Sequence, residues 1–385
     1  MRILSVVGAR PNFMKLAPVD RALAERAGVE HEIVHTGQHY DPEMSVSFFE
    51  DLWLPAPDHH LGVGSGSHAA QTAAVLERLE PVLTASRPDL VLVYGDVNST
   101  LAAALVAAKL GIRVGHVEAG LRSQDWSMPE EINRVVVDRL SALHFVPSRD
   151  AIDNLRAEGV ADDRIHFVGN VMIDSLCWAL GRARERDPVG RYGLGATPYV
   201  VATLHRPANV DDPGTLRELV ETLACLSEAG PVLFPVHPRT RKHLGALGLG
   251  AGQHGDLRLI EPLGYLEMLG LVAGAALVIT DSGGLQEETT FLGVPCLTVR
   301  PNTERPVTCM HGTNRLVPAR RDVILAAARR ALERRAPARP VIERWDGHAA
   351  ERIVAVVCED ANFRLDVEPV VAARRIATPE PANVA

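Results

Sequence analysis

Three carboxylates, Asp96, Glu118 and Glu130, follow short β-rich runs or open a helical run, among cations suited to a phosphorylated ligand: Arg10, Lys15, His205, Arg206 and His237. A carboxylate in a cleft that otherwise binds an anion costs affinity unless the chemistry needs it, so acid/base work is one reading of the three. The other is structural, with each carboxylate in an ion pair and Arg122 and Arg134 as the obvious partners. Ser282-Gly283-Gly284 falls between a strand-like and a helix-like run. Its backbone N–H groups and the helix N-terminus form a phosphate seat, although such a glycine pair serves equally well as a tight turn. Glu287 and Glu288 come next. Either they complement the helix dipole, or one of them accepts hydrogen bonds from the hydroxyls of a ribose beside the seat.

These groups gain meaning from the elements that must carry them. Runs rich in β-formers recur at Ile3–Val7, Glu32–His35, Leu90–Tyr94, Val114–Val117, Leu143–Val146 and Ile165–Val168, with helical segments between them. That alternation predicts a parallel sheet covered on both faces. A helix near Val171–Ala183 and a polar, Gly-rich stretch at Arg184–Thr197 follow, and we place the domain junction there. The alternation then restarts with Tyr199–Thr203, Val232–Val236, Leu257–Ile260, Leu277–Thr280 and Cys296–Val299, separated by helical runs such as Pro213–Glu228 and Leu285–Leu292. The expected fold is α/β, with two Rossmann-like doubly wound domains facing a central cleft. In such sheets ligands bind beyond the carboxyl ends of the strands, which is where the polar groups above fall. If both carboxyl edges face one cleft, they converge on a single ligand.

The spans are set at 1–170 for the first domain, holding the carboxylates, and 171–365 for the second, with its last helix returning to pack on the first. Residues 366–385 form a tail, and Ala377–Ala385, dominated by Pro and Ala, is expected to be unstructured.

Composition narrows the class. With 385 residues, 46% hydrophobic and 23% charged, the chain has the balance of a soluble two-domain protein. No apolar run is long enough to span a bilayer and no signal-peptide pattern opens the chain, so a cytoplasmic protein without membrane partners is expected. A formal charge of −8 argues against a general nucleic-acid binder. The five cysteines, Cys177, Cys225, Cys296, Cys309 and Cys358, are scattered and never in C-x-x-C spacing, which suggests neither disulfides nor a zinc site. The first βα turn lacks G-x-G-x-x-G, and no tyrosine has a lysine four positions on, so a nicotinamide cofactor is not expected. Metalloprotease, esterase and Walker motifs are absent too.

Taken together, nine motifs resemble the non-hydrolysing UDP-N-acetylglucosamine 2-epimerases, a family with the glycosyltransferase-B architecture. They are Gly8-Ala9-Arg10-Pro11 with Lys15, Thr36-Gly37-Gln38-His39, Tyr94-Gly95-Asp96, His116-Val117-Glu118-Ala119-Gly120-Leu121-Arg122, and Pro129-Glu130-Glu131-Ile132-Asn133-Arg134 in the first half. The second half adds Leu204-His205-Arg206-Pro207, Pro235-Val236-His237-Pro238, Asp281 to Glu288, and Thr303-Glu304-Arg305-Pro306. The resemblance implies inversion at C2 of UDP-GlcNAc to give UDP-ManNAc, through elimination of UDP, a 2-acetamidoglucal intermediate and re-addition, without a cofactor or metal. It implies that Asp96, Glu118 and Glu130 are acid/base groups and that His205 stands near the diphosphate. Arg10 would lie near the uracil, Ser282, Gly283 and Gly284 on the phosphates, and Glu288 on the ribose. Lys15, Arg134, Arg206, His237 and Arg305 complete the implied substrate-binding set, and a homodimer is the implied assembly.

Two positions depart from the family pattern. Gln38-His39 runs into Tyr40-Asp41-Pro42-Glu43, unlike members activated by their own substrate, which argues against such activation here. Val307-Thr308-Cys309-Met310 replaces the acidic residue that many members carry after the proline, so contacts near the sugar, and with them the substrate, are expected to differ. A modified UDP-sugar, such as a 2,3-diacetamido uronate or an aminodeoxy sugar, is therefore an alternative substrate. Hydrolysis to free ManNAc and UDP is an alternative outcome. Glycosyl transfer and a catalytically silent UDP-sugar sensor share the nucleotide seat, but neither has a use for three carboxylates at C2.

Overall fold

The computed structural model describes residues 1–38, 51–249, 255–333 and 339–359. Its strands are β1 (Arg2–Val7), β2 (Glu30–His35), β3 (His59–His60), β4 (Leu90–Tyr94), β5 (Arg113–Val117), β6 (Leu143–Val146) and β7 (Ile165–Phe167), then β8 (Val200–Thr203), β9 (Val232–Pro235), β10 (Leu257–Ile260), β11 (Leu277–Thr280), β12 (Cys296–Val299) and β13 (Asn314–Val317). The first seven form one sheet in the order β3-β2-β1-β4-β5-β6-β7 and the last six another in the order β10-β9-β8-β11-β12-β13. All pairings are parallel, with Val6 opposite both Val34 and Val93. The expected fold class is the one observed.

Buried parallel strands read as continuous apolar runs, and Leu90-Val91-Leu92-Val93-Tyr94 is buried at every position. One face of β1 and β4 packs on Arg10–Ala24, through Phe13, Leu16 and Ala17 among others. The opposite face packs on His68–Ser86 and Asn98–Lys109, through Val75, Leu79 and Ala103. The second sheet is covered in the same way, with Leu216 and Leu223 on one side and Leu271 and Val272 on the other. Strand order reverses between β1 and β4 and again between β8 and β11, and a crevice opens at each reversal.

Helix Val171–Glu185 packs against both Arg10–Ala24 and Tyr265–Gly274, and so touches elements of each half. The last described helix, Ala349–Glu359, lies against Arg10–Ala24. Its Ala350 N–H donates to Asp174 Oδ1 at 2.7 Å, and burial pushes the Asp174 carboxyl up to about 6. No described helix is long and apolar enough to cross a membrane. The tail from 366 to 385 and the run from His39 into Glu43 lie outside the described residues.

Candidate active site

The three carboxylates occupy neighbouring turns at the carboxyl edge of the first sheet. β4 runs into Gly95 and Asp96, β5 into Glu118, and Glu130 sits in the first turn of the following helix, Pro129–Leu140. Gly95 has φ +64°, and a Cβ there would stand 2.6 Å from Lys15 Nζ. The turn is therefore restricted to glycine both by conformation and by the lysine packed against it. Glu118, with φ +73°, is a non-glycine residue in the left-handed region, a strained conformation that persists only where the surroundings impose it.

Cations enclose these turns. Lys15 Nζ lies 2.9 Å from Glu118 Oε2, and Arg305 Nη2 lies 3.1 Å from Glu118 Oε1. Arg134 Nε donates to Asp96 Oδ2 at 2.9 Å, and its Nη1 reaches Glu131 Oε2 at 2.5 Å. Glu131 also accepts from the backbone and hydroxyl of Ser123, both at 2.9 Å, so it fixes the loop before the helix. Burial would raise the Asp96 carboxyl, but Arg134, Lys15 and Arg305 outweigh it and hold Asp96 below the usual carboxylate range. An ionised carboxylate in a partly buried site is thereby maintained. Glu130 is half-buried, and burial and Arg300 lower the Arg206 guanidinium against the opposing pull of Glu304, Glu130 and Asp281.

On the second sheet Asp281, fully buried at the end of β11, organises the groups that follow β8. Its carboxylate accepts from the backbone N–H groups of His205 and Arg206, at 3.0 and 2.9 Å, and from Asn209 Nδ2 at 3.0 Å. It also stands 2.8 Å from His205 Nδ1, and His205 keeps 41% of its side chain exposed. Arg206 Nε donates to the Asp281 carbonyl at 3.1 Å. His237 caps the helix Pro238–Ala246, its ring 5.8 Å from that of His205. Burial, His205 and Arg10 all lower the His237 imidazole.

Ser282 is the N-cap of the helix Gly283–Leu292 and makes no side-chain cap bond, while Gly283 and Gly284 form its first turn. A Cβ on Gly283 would stand 2.7 Å from Arg305 Nη1, so this helix start and the arginine approach as closely as a glycine permits. In the next turn Glu287 is buried, accepting from Asn170 Nδ2 at 2.9 Å and pairing with Arg305 Nε at 2.9 Å. Burial raises its carboxyl to about 7 against the opposing pull of Arg305. Glu288, buried beside Tyr265, is raised to about 8 by burial and by Glu287.

One connected network thus joins Lys15, Glu118, Arg305, Glu287 and Glu304, with Asp96 and Arg134 in its field. Of the two partners expected for the three carboxylates, Arg134 pairs with Asp96, whereas the ion pairs of Arg122 go to other carboxylates. Arg122 turns away to Asp138 and Glu158, both at 2.7 Å, because Glu118 is already enclosed by Lys15 and Arg305. Sequence reasoning quoted Asp281, Glu131 and Glu304 within motifs but gave them no role, and it passed over Asn170 and Arg300, although the pair Arg300–Glu304 is 2.8 Å long and buried. The sequence signals for Asp281 are its place at the carboxyl end of a strand and at the start of a family motif.

A family profile described as UDP-N-acetylglucosamine 2-epimerase matches residues 21–358. A UDP-N-acetylglucosamine 2-epimerase homolog from Methanococcus maripaludis is 46% identical over 84% of this chain and 91% of its own length. A UDP-2,3-diacetamido-2,3-dideoxy-D-glucuronate 2-epimerase from Pseudomonas aeruginosa is 45% identical over 86% of this chain and 92% of its own. The crystal structure of the Methanocaldococcus jannaschii UDP-GlcNAc 2-epimerase, in complex with UDP-GlcNAc and UDP, superposes with a TM-score of 0.86 at 40% identity. It covers 93% of this chain and all of that one.

Proposed function

Because the chain belongs to the UDP-N-acetylglucosamine 2-epimerase family, we propose that it inverts C2 of a UDP-linked 2-acetamido sugar, converting UDP-GlcNAc to UDP-ManNAc. The observation that carries this reading is the meeting of Asp96 and Glu118 with Lys15, Arg134 and Arg305 at the facing carboxyl edges of the two sheets. The C2 proton is poorly acidic, so the barrier is lowered chiefly by stabilising the departing diphosphate.

In the proposed sequence a carboxylate takes the C2 proton, the C–H electron pair forms the C1=C2 bond, and the C1–O bond breaks with its pair leaving on UDP. The intermediate is 2-acetamidoglucal. UDP then adds back at C1 while an acid delivers a proton to the other face of C2. Asp96, held ionised by its cations, suits the basic role, and Glu118 and Glu130 on adjoining turns supply the second face. The helix start at Ser282, Gly283 and Gly284 seats the diphosphate, with His205 and Arg206 alongside. Arg10 and His237 lie toward the base and Glu288 toward the ribose. The working spans remain 1–170 and 171–365, and a cytoplasmic homodimer is the proposed setting.

The Pseudomonas aeruginosa relative favours a second reading, in which the same reaction acts on a 2,3-diacetamido uronate. Proton NMR in deuterated water, with UDP-GlcNAc and the diacetamido uronate nucleotide in parallel, separates the two. Deuterium at C2 of an intact UDP-sugar is expected with one of them. Release of free sugar and UDP would replace the reading by hydrolysis, and no exchange with either nucleotide would overturn it.

A further inference from the structure

His116, the penultimate residue of β5, has a fully buried ring that is bonded on both sides. Nδ1 stands 2.6 Å from Asp138 Oδ1 and Nε2 stands 2.8 Å from the Gly95 carbonyl oxygen. A carboxylate and a carbonyl can only accept, so the ring donates through both nitrogens. The second Asp138 oxygen accepts from the Gly120 N–H at 3.1 Å and pairs with Arg122 at 2.7 Å. Burial would raise the Asp138 carboxyl, but His116, Arg122 and His144 outweigh it and hold it low.

One buried pair thereby grips the backbone of two turns. Gly95 immediately precedes Asp96, and Gly120 follows Glu118 by two residues. Gly95 and Gly120 have positive φ, at +64° and +81°, which glycine adopts freely, whereas Glu118 between them, at +73°, is a non-glycine residue that holds this conformation only where its surroundings impose it. Asp138 itself lies on Pro129–Leu140, the helix that carries Glu130 and Arg134. The three carboxylates of the site are therefore referred to a common anchor that is itself sealed from solvent.

We propose that His116 and Asp138 form a positioning pair that holds the turns of Asp96 and Glu118 in the register needed for proton transfer at C2. The inference rests on the epimerase reading above and adds residues to it. Neither side chain reaches the cleft, so their effect is expected in turnover and not in nucleotide binding. A misplacement of about 1 Å costs on the order of a hundredfold in rate.

The test compares wild type with His116→Gln, His116→Ala and Asp138→Asn on whichever UDP-sugar the wild type epimerises. His116→Ala should lose on the order of a hundredfold in kcat, with KM and the Kd for UDP changed less than about threefold. His116→Gln, which keeps one donor for the Gly95 carbonyl, should recover part of that loss. Should His116→Ala fail to fold, Asp138→Asn gives the same kcat-against-KM split. Independently, 15N-labelled histidine in the wild type should show a directly bonded proton on each His116 ring nitrogen. An unchanged kcat in the folded variants, equal losses in kcat and UDP affinity, or a single protonated nitrogen would overturn the inference while leaving the epimerase reading intact. A wild type inert toward every UDP-sugar offered would sink both.

Discussion

Arg305 Nη2 lies 3.1 Å from Glu118 Oε1, so a guanidinium that follows β12 in the second sheet grips the carboxylate that ends β5 in the first. The same guanidinium holds Glu287 at 2.9 Å and contacts Glu304, and all four side chains are buried. Removing one partner from a buried charged network costs far more than an exposed pair would, because the remaining charges lose both water and their counter-ion.

Arg305→Ala should therefore lower stability by about 3 to 5 kcal/mol in urea unfolding and also abolish most turnover. Arg305→Lys retains the charge without the planar fork, and should recover more stability than activity. Equal stability of Arg305→Ala and wild type would mean that the bridge across the cleft contributes nothing net.

Asp96→Asn keeps the shape of the site and removes the charge. Arg134 would still hold Glu131 at 2.5 Å, so the fold should survive. If Asp96 is an acid/base group, kcat should fall by about 10² to 10⁴ with UDP affinity largely kept, and Glu130→Gln should behave alike. Initial rates together with calorimetric UDP titration read both quantities. Full activity in both variants would remove these carboxylates from the chemistry.

His205→Ala leaves Asp281 with its two backbone donors and Asn209, so little of the local structure depends on the imidazole. A loss of about a hundredfold in kcat is expected if the ring donates to the departing diphosphate, with a smaller effect on uridine binding. Unchanged kinetics would place His205 outside the reaction.

Much of this architecture is legible in the sequence because buried parallel strands are apolar throughout, as in Leu90–Tyr94, and their polar ends stand out by contrast. Two strands escape that signal. β3 has only His59 and His60, and β13 at a sheet edge leaves Arg315 exposed, so neither presents an apolar run. Within the site, residue types at strand ends single out Asp96, Glu118 and His205, but pairing depends on distances that the sequence does not carry. Arg122 lies four residues from Glu118 in the chain and yet bonds Asp138 and Glu158, whereas Arg305 lies 187 residues away and bonds it. Asp281 reads as part of a turn until the three donors around its carboxylate are seen in space.

The Glu287–Glu288 pair sets a pH dependence of stability whose sign follows from burial. Burial raises both carboxyls, to about 7 and about 8, from an unfolded value near 4.5. Between those limits the folded chain holds protons that the unfolded chain has released, so stability falls as pH rises through the window. The contribution is fully present below about pH 4.5 and lost as pH passes 7 to 8. Asp96 acts in the opposite sense, since its lowered carboxyl contributes stability that is lost as pH falls through the acid range. Thermal unfolding followed from pH 5 to pH 8.5 should show a decline in Tm for the wild type. Glu288→Gln, which carries no titrating proton, should flatten that decline while keeping a polar group beside Tyr265. An equally steep decline in the variant would assign the titration to other groups, and a Tm that rises across the window would contradict the sign itself.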